Sequence, residues 1–433
     1  MRVRLFLAVM AWATTAPAVT RHVPAEYSTI QSALDVSAAG DTVLVAPGTY
    51  TDSKTRVQIG GSEWTSCAFM VDGVVLRSEG GPTVTVIDMQ QASGPQPHVV
   101  LARYQLSGQS VIEGFTITGA RVGGRGAYTA FGNLVTFRNC VFRDMNVGNS
   151  TGAGIASNGD LLVDGCEFVN CVTTNGGGAI AHGSGRLEMF DCSIRQCGGI
   201  GVLMFGILGD SFQLEGCTFE NCWASSGGSA AFGAGNQQVG AVLRGCRFIS
   251  NVGAGPTGAV GVAGFQTTIL VEGCLFWNNR GGQGAGLRVS GPSIVRGNTF
   301  YGNVGSFNSG GGAVAFTLTG SPGELSHNIF VANQSNGGAV YAYNVPLNTS
   351  CNVFWQNAPG NHYTPGPTDR IIDPLLCDPT TGDFRLMVGS PCLPGDPLGC
   401  GLIGAFDQGC GTISISPMTW GQVKGVYRVK GTP

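Results

Sequence analysis

Ile269-Leu-Val-Glu-Gly-Cys-Leu-Phe-Trp-Asn-Asn279 decides the fold, because the chain keeps rewriting it. Upstream stand Ala241-Val-Leu-Arg-Gly-Cys-Arg-Phe-Ile-Ser-Asn251, Phe212-Gln-Leu-Glu-Gly-Cys-Thr-Phe-Glu-Asn-Cys222 and Leu161-Leu-Val-Asp-Gly-Cys-Glu-Phe-Val-Asn-Cys171. One position of the frame reads Cys140, Cys166, Cys192, Cys217, Cys246, Cys274, Asn298, Asn328 and Asn352, in steps of 24 to 30 residues. A second signal recurs between these stretches, as in Gly177-Gly-Ala-Ile180, Gly311-Gly-Ala-Val314 and Gly337-Gly-Ala-Val340. Self-similarity at such a period marks a solenoid.

Apolar residues alternate within each repeat, as in Ile269-x-Val271 and Cys274-x-Phe276, which is the period of a strand and not of a helix. Gly245, Gly273, Gly297 and Asn139 at the centre allow the positive φ that turns a corner between two strands. Two or three strands per repeat, with no room for a helix, make one coil of a parallel β-helix, in which equivalent residues stack about 4.8 Å apart. The inward columns are then aliphatic, a Cys-to-Asn ladder, and a Phe ladder running through Phe142, Phe168, Phe219, Phe248, Phe276, Phe300, Phe330 and Phe354. Such a core is one side chain wide and repeats about ten times.

These coils resemble those of right-handed parallel β-helix, or pectin-lyase-like, proteins. The Gly-Gly-Ala-Ile/Val signal and the Phe-x-x-Asn spacing (Phe276 to Asn279, Phe300 to Asn303) are also similar to repeats of chlamydial polymorphic outer-membrane proteins. The resemblance spans roughly residues 22–411. It implies an all-β, single-stranded right-handed parallel β-helix; the adhesive role it also implies belongs to proteins with a membrane barrel. Thr29-Ile-Gln-x-Ala-Leu34 followed by Gly40-Asp-Thr-Val-x-Val-x-Pro-Gly-x-Tyr50 resembles the opening of pectin methylesterases and reads as an N-terminal capping helix that protects the first coil's edge.

The organisation expected is a signal peptide at 1–18, the capped β-helix at 22–375, a Cys-containing closing segment at 376–411 and a tail at 412–433. Met1-Arg-Val-Arg4, an apolar Leu5 to Ala13 and Ala16-Pro-Ala18 form the export signal, too short to span a bilayer, so a secreted or surface-associated protein is expected. A formal net charge of −3 argues against a nucleic-acid partner, and the five His show no metal spacing, so neither metal nor cofactor is expected. A monomer is expected. Of the 15 Cys, those in the ladder read as small hydrophobes filling a core column. Cys377, Cys392, Cys400 and Cys410, in a tail with little core of its own, are the candidates for two disulfides.

For chemistry the sequence is poor. A lyase needs clustered carboxylates for Ca²⁺ and an Arg or Lys base, and a hydrolase needs facing acids; the chain shows no local cluster of either kind. The column before the corner reads Glu113, Arg138, Asp164, Phe190, Glu215, Arg244, Glu272 and Arg296, whose alternating signs suit an ion-pair ladder better than a binding stripe. The column after the ladder Phe ends Trp277, Tyr301, Val331, Trp355. Trp277, Tyr301 and Trp355 are candidates for stacking on sugar rings, unless the C-terminal segment covers them. The reading is an exported, non-catalytic β-helix presenting a surface to a polysaccharide or cell-surface glycan. The alternative is a polysaccharide lyase or glycoside hydrolase acting on an acidic polysaccharide, with three carboxylates and an Arg converging in a groove.

Overall fold

The computed structural model describes residues 17–411 apart from 58–60, 91–94, 96, 103–108, 131, 205–210, 225–227, 236–239, 265–266, 307–309, 343, 359–363 and 396–398. The signal peptide and the tail at 412–433 therefore lie outside the described residues, apart from Pro17 and Ala18.

Thirteen strands, from Thr20–Val23 to Leu347–Ser350, stack in parallel as the first sheet, and consecutive members come from consecutive repeats. A further twenty-four strands form one hydrogen-bonded surface, in which Glu167–His182 runs through a corner and joins two columns. The second sheet is the column of three-residue strands around the ladder Phe, such as Leu275–Trp277 and Thr299–Tyr301. The third follows each Gly-Ala turn, as in Val260–Ala263 and Leu287–Ser290. Each coil thus turns twice within its repeat before returning to the first sheet. The result is an all-β solenoid. The one helix among the described residues, Ile30–Leu34, carries a Thr29 capping box and packs on the early strands.

Both turns sit at left-handed φ. At the first corner these residues include Asn139 (48°), Asp191 (49°), Gly273 (64°) and His327 (58°). At the second they include Asn170 (53°), Ser250 (52°), Asn278 (53°) and Ala332 (54°). Asn and Gly tolerate this region, and bulkier residues are held there by the surrounding coils.

The core is made of columns. Phe rings stack at 5.1, 5.0, 4.6, 4.9 and 4.9 Å from Phe219 through Phe248, Phe276, Phe300 and Phe330 to Phe354. Ile194 occupies the ring's place between Phe168 and Phe219. Cys140, Cys166, Cys192, Cys217, Cys246, Cys274, Asn298, Asn328 and Asn352 are all buried just inside the first corner. Burial pushes the thiols of Cys166, Cys197 and Cys222 up, and that of Cys67 to about 12, so they stay protonated.

Once Asn takes over, the column becomes an amide ladder. Asn298 donates from its N–H and its Nδ2 to Asn328 Oδ1, both at 3.0 Å, and Asn328 does the same to Asn352. The ladder ends on a carboxylate: Asn352 donates from N and Nδ2 to Asp369 Oδ1 at 2.9 Å. A second ladder runs in parallel inside the second corner, where Cys171, Cys197 and Cys222 give way to Asn251, Asn279, Asn303, Asn333 and Asn357. Every buried amide there is satisfied, which a buried polar column demands.

The cysteines of the closing segment correct the sequence reading. The disulfides are Cys351–Cys400 and Cys377–Cys410, not two bridges among Cys377, Cys392, Cys400 and Cys410. Cys392 is buried and takes part in neither bridge. Its place is among Leu386, Ile403 and Val353 in the small core beneath the closing segment, where it acts as an apolar side chain. Cys351 sits at the first corner of the last full coil, so the bridge ties the closing segment to the solenoid itself.

Candidate functional site

Each of the three outer faces has a different chemistry, set by the residues that alternate away from the core. On the first sheet the charges pair up the axis. Arg138 lies 3.2 Å from Asp164, Arg244 lies 2.8 Å from Glu215 and 3.1 Å from Glu272, and Arg296 lies 2.8 Å from Glu272. Cross-coil hydrogen bonds from the two arginines hold the Glu272 carboxyl below its usual range despite partial burial, and Arg244 is correspondingly raised. These half-exposed pairs fix register at well under about 1 kcal/mol each, and they leave no field of one sign.

The second sheet carries the aromatic column. Trp277, Tyr301, Val331 and Trp355 are in register on successive coils and share one face. That face is not free. Phe384 of the closing segment meets Trp277 edge-on at 5.2 Å and Tyr301 at 5.4 Å. Val331 is buried at 6% exposure, and Trp355 and Tyr301 pack against the small core to which Leu386, Cys392 and Ile403 belong. The expectation of an open sugar-stacking stripe at Trp277, Tyr301 and Trp355 is therefore corrected. The stripe seats residues 376–411, which pack their own apolar side chains against it. The segment responsible is the Cys-containing closure; the Trp420 to Tyr427 stretch lies outside the described residues.

The third sheet carries a cleft. Val202, Phe232, Val260 and Leu287 point inward and are fully buried, so the residues that follow them point out. The outward column reads Ala156, Ala181, Leu203, Gly233, Gly261, Arg288, Ala315 and Tyr341, in register coil by coil. Ala156, Ala181 and Ala315 in this column are themselves buried, so the depression lies between Leu203 and Arg288. Between Leu203 and Arg288 the two glycines deepen it into a cleft of about 270 Å³, walled by Ile200, Ser229, Thr257 and Ser290. Glycine is required at one of them: a Cβ on Gly261 would come 2.5 Å from Ser229 Oγ. A Cβ on Gly233 would make only ordinary contacts, at 3.6–3.7 Å from Ile200 and Leu203, so a longer side chain there would occupy the cleft.

Arg288 gives the cleft its charge. Its Nε is buried without a hydrogen-bond partner, and no carboxylate pairs with the guanidinium among the described residues. Burial lowers its pKa from the usual arginine value, yet it stays cationic near neutrality. The cleft can therefore hold an anionic or hydroxyl-rich ligand by charge, by the Ser and Thr hydroxyls and by the apolar Leu203 wall. Of the groove expected for a lyase it has the Arg, while its lining contains no Asp, Glu or His among the described residues. Also among these, no three His, Cys, Asp or Glu side chains converge to hold a metal ion.

Sequence reasoning passed over Arg288. The signal was faint: Gly inside the strands Phe232–Gly235 and Val260–Ala263 marks close approach, and an Arg follows at the same place one coil on.

Stacked parallel coils and inward ladders define a right-handed parallel β-helix. Residues 104–263 match the family described as a right handed beta helix region. No curated protein sequence matches the chain. Among solved structures it is similar to the PL6 family alginate lyase AlyGC, with a TM-score of 0.46 and 14% identity over 83% of this chain and 54% of that one. It is also similar to pectate lyase Pel9A, with a TM-score of 0.46 and 14% identity over 92% of this chain and 98% of that one. The chain spans about half the length of the alginate lyase. These likenesses concern the fold alone. No helix among the described residues is long and apolar enough to cross a membrane.

Proposed function

We propose that the protein is exported and acts as a non-catalytic, monomeric β-helix that presents its third-sheet trough to a polysaccharide or cell-surface glycan. The observation that carries this reading is the outward column from Leu203 to Arg288, which opens a cleft over Gly233 and Gly261, while the first sheet pairs its charges and the closing segment covers the late coils of the second. A trough parallel to the axis offers a site every 4.8 Å or so, close to the repeat of a sugar chain. What supports binding without cleavage is a cleft lined by one cation and hydroxyls, with no acid–base pair among the described residues.

The second reading is a lyase on an acidic polysaccharide, and one observation favours it: burial lowers the pKa of Arg288, the direction that favours the neutral guanidine, which is the form able to accept a proton. A glycan panel probed with wild-type protein and with Gly233→Leu, run beside a uronate-release assay, separates the readings. The binding reading expects retention of glycans by the wild type, loss with Gly233→Leu and no released product. Turnover that Arg288→Gln abolishes would establish the lyase instead.

A further inference from the structure

We propose that the buried cysteine columns are binding sites for a soft metal ion that takes two thiolates in line, with mercury(II) as the type case. This is independent of the third-sheet reading. Cys140, Cys166, Cys192, Cys217, Cys246 and Cys274 stand one coil apart just inside the first corner, all of them buried. Strand pairs in register before and after them keep the column straight, as Arg244 with Glu272 and Arg247 with Leu275 do on either side of Cys246 and Cys274. The Phe rings two residues on set the pitch, at 4.8 Å from Phe142 to Phe168 and 5.0 Å from Phe248 to Phe276. Neighbouring thiols interact down the column, Cys192 with Cys217, Cys217 with Cys246 and Cys246 with Cys274. Cys171, Cys197 and Cys222 repeat the arrangement inside the second corner.

Pitch and charge choose the ion. With a metal–sulfur bond of about 2.3 Å, as in a zinc thiolate, two bonds in line span about 4.6 Å, close to one coil. Zinc itself takes four ligands in a tetrahedron, whereas a straight column offers an ion the thiol above and the thiol below. Soft ions that favour sulfur fit instead. Each thiol gives up its proton on binding, so two thiols and one Hg²⁺ yield two protons and an uncharged S–Hg–S unit. That neutrality suits a column beside Phe and aliphatic side chains, where a leftover charge would be expensive. Access is short. The corner residue before the cysteine is exposed at Gly165, Gly216 and Gly245, and a Cβ on Gly245 would meet nothing within 4 Å. An ion has one layer of backbone to pass, which local opening of a corner allows.

Titration of the full chain with mercuric ion, in buffer free of chloride and thiols and with zinc as the control, tests this. Six thiols make three adjoining pairs and three make one, so four tightly bound ions per chain are expected. Each should release two protons to a pH-stat and add thiolate-to-metal absorption in the near ultraviolet. Binding to the folded columns should raise the melting temperature, whereas capture by the unfolded chain should lower it. Zinc should do neither. Two double variants test the pairing. Cys140→Ala with Cys274→Ala leaves Cys166 beside Cys192 and Cys217 beside Cys246, for three ions in all. Cys192→Ala with Cys246→Ala leaves only Cys140 beside Cys166 in the first column, for two ions in all. Both remove two thiols, so an equal loss would overturn the pairing along the column. A melting temperature that falls with mercury, or a zinc response equal to that of mercury, would overturn the site itself. The wild-type measurements need neither variant to fold.

Discussion

Asn298, Asn328 and Asn352 supply at the first corner an amide oxygen as acceptor for the N–H of the coil before, where a cysteine offers only its sulfur, as Cys166 Sγ does to the Cys140 N–H at 3.4 Å. Cys274 shows the junction: its N–H donates to Asn298 Oδ1 at 2.8 Å, while its own thiol lies 3.7 and 3.4 Å from the carbonyls of Leu243 and Glu272. The two halves of the column should therefore respond differently to truncation. Asn328→Ala strands the N–H of Asn298 in a dry core, leaves its Nδ2 with only the Val271 carbonyl, and should lower stability by about 3 kcal/mol, whereas Cys192→Ala, which removes one sulfur, should cost roughly 1 kcal/mol. Urea midpoints measure both; equal losses would mean that the amide ladder adds nothing beyond packing. His98 makes a second case. It is fully buried, stacks on Tyr128 at 5.4 Å and meets Trp64 edge-on at 5.1 Å. Burial, with Arg125 adding to it, holds its pKa down to about 3. The unfolded chain binds a proton near pH 6.5 and the folded one does not, so this stability is present above pH 6.5 and is lost as pH falls toward 3. Between pH 7 and pH 4.5 the loss from this residue should be about 2–3 kcal/mol. His98→Phe should flatten that part of the stability–pH curve; an unchanged slope would assign the acid sensitivity elsewhere.

At the scale of elements, the closing segment explains why the second sheet changes character along its length. Its outward residues are Arg143, Val169, Arg195 and Glu220 in the early coils and Trp277, Tyr301, Val331 and Trp355 in the late ones, and the cover begins where the aromatics do. Two disulfides hold the cover, one of them to the last coil through Cys351. Replacing Cys351 and Cys400 together by Ser should cost about 2–4 kcal/mol. It should also make residues 376–411 the first site of limited proteolysis, with a change in tryptophan emission as Trp277 and Trp355 meet water. Cleavage elsewhere at the same rate as in the wild type would show that the strap is not what retains the segment. Denatured, unreduced protein should titrate eleven thiols, matching the free cysteines. Alkylation mapping should find Cys392 among them and Cys351 absent, and the reverse would restore a bridge to Cys392.

Seen as a whole molecule, the solenoid was legible because its signals repeat: each Gly-Cys-x-Phe frame is weak alone, and nine in register fix coil, corner and core columns. Pairing within the closing segment was not legible. Cys351 is written inside the repeat, next to the ladder's Asn352, and only the return of the chain brings it to Cys400. The stripe misled for a related reason, since alternation tells which side chains leave the core but not what later covers them. The trough was hidden because Gly233 and Gly261 become a groove only once strands from successive coils are set in register. Function then follows from which face carries it. Hydrogen–deuterium exchange with and without a saturating acidic oligosaccharide tests that most directly. The account predicts slowed exchange in the third-sheet strands 200–203, 232–234, 260–263 and 287–290 and in the turns at 228–229 and 257. Protection confined to the first sheet or to residues 376–411, with the third sheet unchanged, would contradict it.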